Sequence, residues 1–125
     1  MIKNLALVFI GGGAGSSLRF LLSHYWNKGP NAIPYGTLIA NISGSLLIGI
    51  ILGVALKNDM LSSNTTIFLA MGFCGGYTTF STFAYENQIF LKDGEFGLFA
   101  LYTLSSIILG IAAVFAGLWL ARLFS

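Results

Sequence analysis

The sequence predicts an all-α integral membrane protein: four transmembrane helices in a single domain over residues 1–125. Three observations carry this reading. Hydrophobic residues make up 56% of the chain and charged residues 8%, against about 25% charged in a soluble domain, and the mean hydropathy is +0.85. A surface so short of charge does not stay dispersed in water, so lipid is the expected solvent. The apolar residues also fall into four long runs, and about 20 residues suffice for a helix to cross a hydrocarbon core of about 30 Å. Finally, both prolines, Pro30 and Pro34, lie outside those runs, where they cost no helical hydrogen bond.

The spans are expected at about 4–26, 36–56, 65–90 and 96–123. Lys28-Gly29-Pro30-Asn31 with Pro34 marks the first connector, Lys57-Asn58-Asp59 through Asn64 the second, and Lys92-Asp93-Gly94-Glu95 the third. These are clusters of turn-forming and charged residues. Connectors this short make sequential spans up-down neighbours. The N-terminal run is read as a span and not as a cleaved leader, because apolar sequence continues past Arg19 to Trp26 and three more spans follow.

Several function classes are excluded. A net charge of +2, scattered along the chain, is no footprint for nucleic acid. Cys74 is the single cysteine, so an intrachain disulfide is ruled out. No metal-ligand spacing, nucleophile–base pair or phosphate loop is present; Gly11-Gly12-Gly13-Ala14-Gly15-Ser16 fails the dinucleotide fingerprint at its last position and follows no strand. An enzyme is therefore not expected.

Four spans put both termini on one side, with Lys3, Lys57 and Arg122; the other side has Lys28 and Lys92, with Arg19 inside the first span. Lys and Arg near span ends set orientation. Three against two, or three against three with Arg19 snorkelling outward, gives almost no instruction. Two readings follow: a partner decides the orientation, or the chain inserts both ways.

Polar residues inside the spans are the candidate functional groups. Asn41, Ser45, Gly49 and Gly53 repeat every four residues along one face of the second span, so another backbone can approach closely. Asn41 is either an intramembrane donor or interhelical glue. In the third span, Gly75-Gly76 followed by Thr78 and Thr79 weakens the helix near mid-membrane. That pair reads either as a helix break exposing backbone ligands or as a close helix crossing. Phe80 and Phe83 lie three apart beside the hydroxyls of Thr79, Ser81 and Thr82. Ring edges are electropositive, so this group suits a small dehydrated anion, although ordinary packing gives the same spacing. Tyr102 and Ser106 share a face of the fourth span and would continue a polar track. Arg19 and Glu86 are the ionisable residues nearest the membrane interior, and such groups are functional candidates by default.

The third-span run Gly72-Phe73-Cys74-Gly75-Gly76-Tyr77-Thr78-Thr79-Phe80-Ser81-Thr82-Phe83 with Glu86 resembles the signature of the CrcB/Fluc family of fluoride channels. Gly12-Gly13-Ala14-Gly15 with Arg19, and Pro34-Tyr35-Gly36-Thr37-Leu38 with Asn41 and Gly44-Ser45, extend the likeness, as do Tyr102 and Ser106. The resemblance implies a fluoride-selective passive channel that exports cytoplasmic fluoride, in the cell (plasma) membrane as a multi-pass protein. It implies an antiparallel dual-topology dimer, so the partners are fluoride, a second inverted copy and the bilayer, and not nucleic acid. It also implies a structural Na+ at the dimer interface, held by backbone carbonyls of Gly75 and Thr78 at a break in the third helix near residues 75–78. By motif position the fluoride pore takes Asn41, Phe80, Phe83, Ser81, Thr82, Tyr102 and Ser106, with Arg19 and Glu86 as vestibule or accessory groups. Two other readings remain: a small dual-topology proton-coupled exporter, which needs a central membrane carboxylate, and a non-transporting membrane assembly protein.

Overall fold

A computed structural model describes residues 1–58 and 61–124, so Asp59 of the second connector lies outside the described residues. Every regular element among them is helical: α1 (Ile2–Trp26), α2 (Tyr35–Asn58), α3 (residues 63–77), α4 (Ser81–Lys92) and α5 (Phe96–Arg122). Four of the spans' worth of helix are apolar and long enough to cross a bilayer, with Ser63–Lys92, interrupted between α3 and α4, as the third. At 1.5 Å per residue, the 25 residues of α1 run about 37 Å.

The helix ends follow from local chemistry. Pro34 has no N–H, and α2 opens just after it; the side chain of Asn27, at the end of α1, supplies the cap, its Oδ1 accepting from the N–H of Gly36 (2.7 Å) and of Thr37 (3.4 Å). Ser62 caps α3 through the Thr65 N–H at 3.1 Å. α4 ends in a Schellman motif: Gly94 takes φ +74°, and the N–H groups of Glu95 and Gly94 return to the carbonyls of Phe90 (2.8 Å) and Leu91 (3.3 Å). Within α3, residues Ile67–Cys74 form a wider π-helix, a rare geometry that is frequent at functional sites.

Packing is organised in two glycine-mediated pairs. α1 lies chiefly against α3, and α2 chiefly against α5. A methyl on Gly11 would sit 2.5 Å from the Phe68 carbonyl oxygen, and one on Gly76 would overlap the Gly12 carbonyl. The second pair repeats the device: a methyl on Gly49 would lie 2.5 Å from the Val114 carbonyl oxygen, and one on Gly117 would overlap that of Leu46. Small residues let helices approach to backbone contact, which is how association works where lipid tails remove the hydrophobic drive. Large apolar side chains such as Phe9, Phe20, Ile108, Phe115 and Trp119 stay exposed on the outside, the surface that lipid covers.

The break falls at residues 78–80, where Thr78 is extended (φ −89°, ψ 157°). Gly75 itself is helical (φ −62°, ψ −38°). The two readings of the Gly75-Gly76 pair therefore meet in one place: Gly76 forms the close crossing with α1, and the helix opens directly after it. Gly76→Ala should lower the unfolding free energy of the detergent-solubilised protein by about 1–3 kcal/mol, the usual cost of overpacking a tight contact. Gly97→Ala, where no atom lies within 4 Å of the new methyl, should leave the thermal midpoint unchanged or slightly raised.

Candidate functional site at the break in the third span

Interrupting a helix strands its N–H and C=O groups, and hydrocarbon offers no water to take them. Side chains from α1, from α2 and from the break itself take several of them. The amide of Asn41 closes on one residue: its Oδ1 accepts from the Thr79 N–H at 2.8 Å, and its Nδ2 donates to the Thr79 carbonyl at 3.1 Å. Ser16 Oγ and Arg19 Nε both donate to the Gly76 carbonyl, at 3.2 and 3.1 Å. Arg19 is thus turned inward, its cation at the negative end of a helix, and does not snorkel outward. Thr79 Oγ1 accepts from the Thr82 N–H at 3.2 Å and starts α4. The Thr78 N–H and hydroxyl both return to the Cys74 carbonyl, at 3.0 and 2.9 Å. No donor among the described residues reaches the carbonyls of Gly75 or Thr78.

An open cleft of about 540 Å³ runs beside the break and brings together Asn41, Gly75, Thr78, Phe80, Phe83 and Ser106. The Phe80 and Phe83 ring centroids are 5.8 Å apart at 47°, and Phe80 is 77% exposed, so its ring faces the open side. Ser106 Oγ is buried without a hydrogen-bond partner, which leaves it available to something in the cleft. Asn41 donates one of its two amide hydrogens to Thr79 and keeps the other. Ser81 and Thr82 do not line the cleft; Ser81 is exposed and Thr82 half-buried on the first turn of α4.

Deeper along the same helices the polar track continues into a buried cluster. Phe83 packs on Tyr102 with ring centroids 5.2 Å apart. The Tyr102 hydroxyl donates to Glu86 Oε1 at 2.5 Å, and the Thr37 hydroxyl donates to Glu86 Oε2 at 2.7 Å. Asn27 Nδ2 in turn donates to Thr37 Oγ1 at 3.2 Å. Thr37 and Tyr102 are fully buried. Glu86, Asn27, Pro34 and Phe90 border a second cavity of about 350 Å³. Sequence reasoning singled out Glu86 and Tyr102 but passed over Thr37 and Asn27. The signal for Thr37 was present: it stands four residues before Asn41 and extends the small polar stripe of α2 by one turn. Asn27 sits in a connector, and nothing in its neighbours reveals that its side chain folds back over α2.

The chain is similar to known proteins over nearly its whole length. A family profile described as "CrcB-like protein, Camphor Resistance (CrcB)" matches residues 6–118. A curated protein of Leptospira interrogans serovar copenhageni, named "Fluoride-specific ion channel FluC", is 42% identical over 123 residues, covering 98% of this chain and 97% of the relative. Proteins of the same name from Azobacteroides pseudotrichonymphae (43% over 125 residues, 99% and 100% covered) and Bacteroides fragilis (42% over 127 residues, 98% and 99% covered) are similar throughout their length.

The cluster around Glu86 makes its own prediction. Tyr102→Phe and Thr37→Val should each destabilise the protein by about 1–3 kcal/mol, the cost of leaving a buried polar group short of one hydrogen bond. Because both hydroxyls act on one carboxyl group, the double variant should fall short of the sum of the two. Unfolding measured for all four forms gives the coupling; strict additivity would show that the hydroxyls act independently.

Proposed function

The chain belongs to the CrcB family, and on that premise we propose that it is a fluoride-selective passive channel through which cytoplasmic fluoride leaves the cell. It is a multi-pass protein of the plasma membrane. The observation that carries the reading is the match, at 42–43% identity and over nearly the whole of both chains, to proteins curated as fluoride-specific ion channels.

The site chemistry supports it. Fluoride is small and strongly hydrated, so a pore must replace its water contacts without trapping it. Weak donors meet both needs, and the cleft offers them: the spare amide hydrogen of Asn41, the unpartnered Ser106 hydroxyl, and the positive edges of Phe80 and Phe83. Ser81, Thr82 and Tyr102 complete the proposed pathway, with Arg19 and Glu86 beside it. Acid surroundings hold part of the fluoride as neutral HF, which crosses lipid and ionises inside. With the membrane negative inside, an anion pore then drains it downhill without an energy source. A proton-coupled exporter would need a membrane carboxylate free to exchange protons and substrate, whereas both Glu86 oxygens accept from buried hydroxyls.

The working unit is proposed to be an antiparallel pair of identical chains. The near-even Lys and Arg count on the two sides favours insertion in both orientations, and the exposed Phe80 needs a wall that one chain does not supply. The structural Na+ of the family fits these residues. Gly75 and Thr78 carbonyls without donors are hard oxygen ligands suited to a hard cation, and two copies would supply four. Bound there, the ion would neutralise the carbonyls and hold the two breaks together.

In liposomes read with a fluoride electrode, the parent protein should release fluoride and retain chloride. Phe80→Ile and Phe83→Ile should each slow fluoride release about ten- to a hundredfold, the equivalent of about 1–3 kcal/mol of barrier. Leu104→Ile, on an exposed apolar position of α5, should release fluoride at the parent rate. Parent rates from both Phe variants, folded and dimeric, would place the pathway elsewhere.

Orientation is tested separately. Two or three Lys added to one side should bias insertion and abolish activity of that copy expressed alone, and an oppositely biased copy should restore it. Full activity from a strongly biased copy alone would rule out the antiparallel pair.

A further inference from the structure

We infer that Asn41 is a positioning residue for the central cation site: its amide holds the Thr79 N–H and C=O away from α3 and so keeps the Gly75 carbonyl open beside that of Thr78. This rests on the reading above that two such breaks share a cation.

In an uninterrupted helix, the Thr79 N–H would bond the Gly75 carbonyl and the Thr82 N–H would bond that of Thr78. Both donors are diverted. Asn41 Oδ1 takes the first at 2.8 Å, and Thr79 Oγ1 takes the second at 3.2 Å. The carbonyls of Gly76 and Thr79 are occupied, the first by Ser16 and Arg19 and the second by Asn41 Nδ2, whereas among the described residues that of Tyr77 is not. Side-chain donors therefore take two of the five carbonyls of residues 75–79, and the ones left open include the Gly75 and Thr78 carbonyls that would hold the ion. The N–H and C=O of Thr79, which belong to two consecutive peptide units, are both met by the one side chain, and a primary amide matches donor and acceptor at once. A carboxylate keeps the acceptor alone, and a hydroxyl is too short to reach both. The pairing also fixes the amide orientation, since Oδ1 must face the N–H and Nδ2 the carbonyl. Gly44, one turn further along α2, lets the break come this close, because a methyl there would overlap the Thr78 side chain.

A pore ligand and a positioning residue both reduce fluoride flux when removed, so flux does not distinguish them. Sodium dependence does. The dimer of the parent, Asn41→Ala, Asn41→Asp and Phe83→Ile is melted in detergent across a series of NaCl concentrations, with N-methylglucamine chloride holding ionic strength constant, and fluoride release from liposomes is measured in parallel. The Na+ concentration giving half-maximal protection should rise at least tenfold in Asn41→Ala and by a smaller factor in Asn41→Asp, which keeps an acceptor for the Thr79 N–H. It should not move in Phe83→Ile, whose flux falls. An Asn41→Ala protein with reduced flux and the parent's Na+ half-point would overturn the inference and leave Asn41 as a pore ligand alone. Should the Ala variant not assemble, an unshifted half-point in Asn41→Asp overturns it equally. A parent that ignores Na+ removes the shared-cation reading and this inference with it, while the fluoride reading stands or falls on the efflux measurement.

Discussion

The rest of the molecule depends on one constraint: backbone groups released by a helix break have no water to turn to inside a bilayer. The interruption after Tyr77 releases a handful of them at mid-span. A soluble protein would hydrate them; here each must find a partner within the fold or from another chain. α1 contributes Ser16 and Arg19, α2 contributes Asn41, and the break contributes its own Thr79 hydroxyl. Ser16, Arg19 and Asn41, which look out of place along the spans, are partners the break requires.

That arrangement demands close approach, which explains the glycines. Ser16 and Arg19 reach the Gly76 carbonyl because Gly76 crosses α1 at Gly12 with no room for a side chain, and Gly15 and Gly11 continue the same seam. Asn41 reaches Thr79 because Gly44 admits the break against α2. The helix crossing and the functional geometry are a single feature, and a substitution that thickens the crossing would also withdraw the donors.

The face left open is equally informative. Gly75 and Phe80 are exposed at the break, carbonyls there, those of Gly75 and Thr78 among them, lack donors among the described residues, and the cleft that gathers Asn41, Phe83 and Ser106 has one side unwalled. Unpaired carbonyls in hydrocarbon are costly, so the surface asks for a polar or ionic partner as much as an apolar one. The proposed second copy carrying the same break, with a cation shared between them, would answer both needs, and the near-symmetric charge flanking the spans would permit the inverted insertion this requires. The proposed pathway would then be lined by weak donors, a composition that would let a strongly hydrated anion enter and leave.

Much of this was legible in the sequence. The four helices follow from apolar runs long enough to span a bilayer, and the connectors from Pro, Gly and charged residues, because the membrane reduces the choice of structure to a hydropathy pattern. The third-span run and the Tyr102 and Ser106 pair were readable because small, aromatic and hydroxyl residues are conspicuous against Leu and Ile. The tertiary structure decided what each polar group bonds. It turned Arg19 inward to a carbonyl, closed Asn41 on Thr79, placed Ser81 and Thr82 outside the cleft, and tied Glu86 to Thr37 and Tyr102 across three helices. Those pairings join residues 16 to 60 positions apart, and periodicity along a single helix has no information about which face of which neighbour it will meet. The sequence by itself determined that the third helix would be weak near Gly75 and Gly76; only packing decided that it opens at Thr78, because Gly76 is held in the crossing with α1 while Asn41 of α2 takes the Thr79 N–H that would have continued the helix.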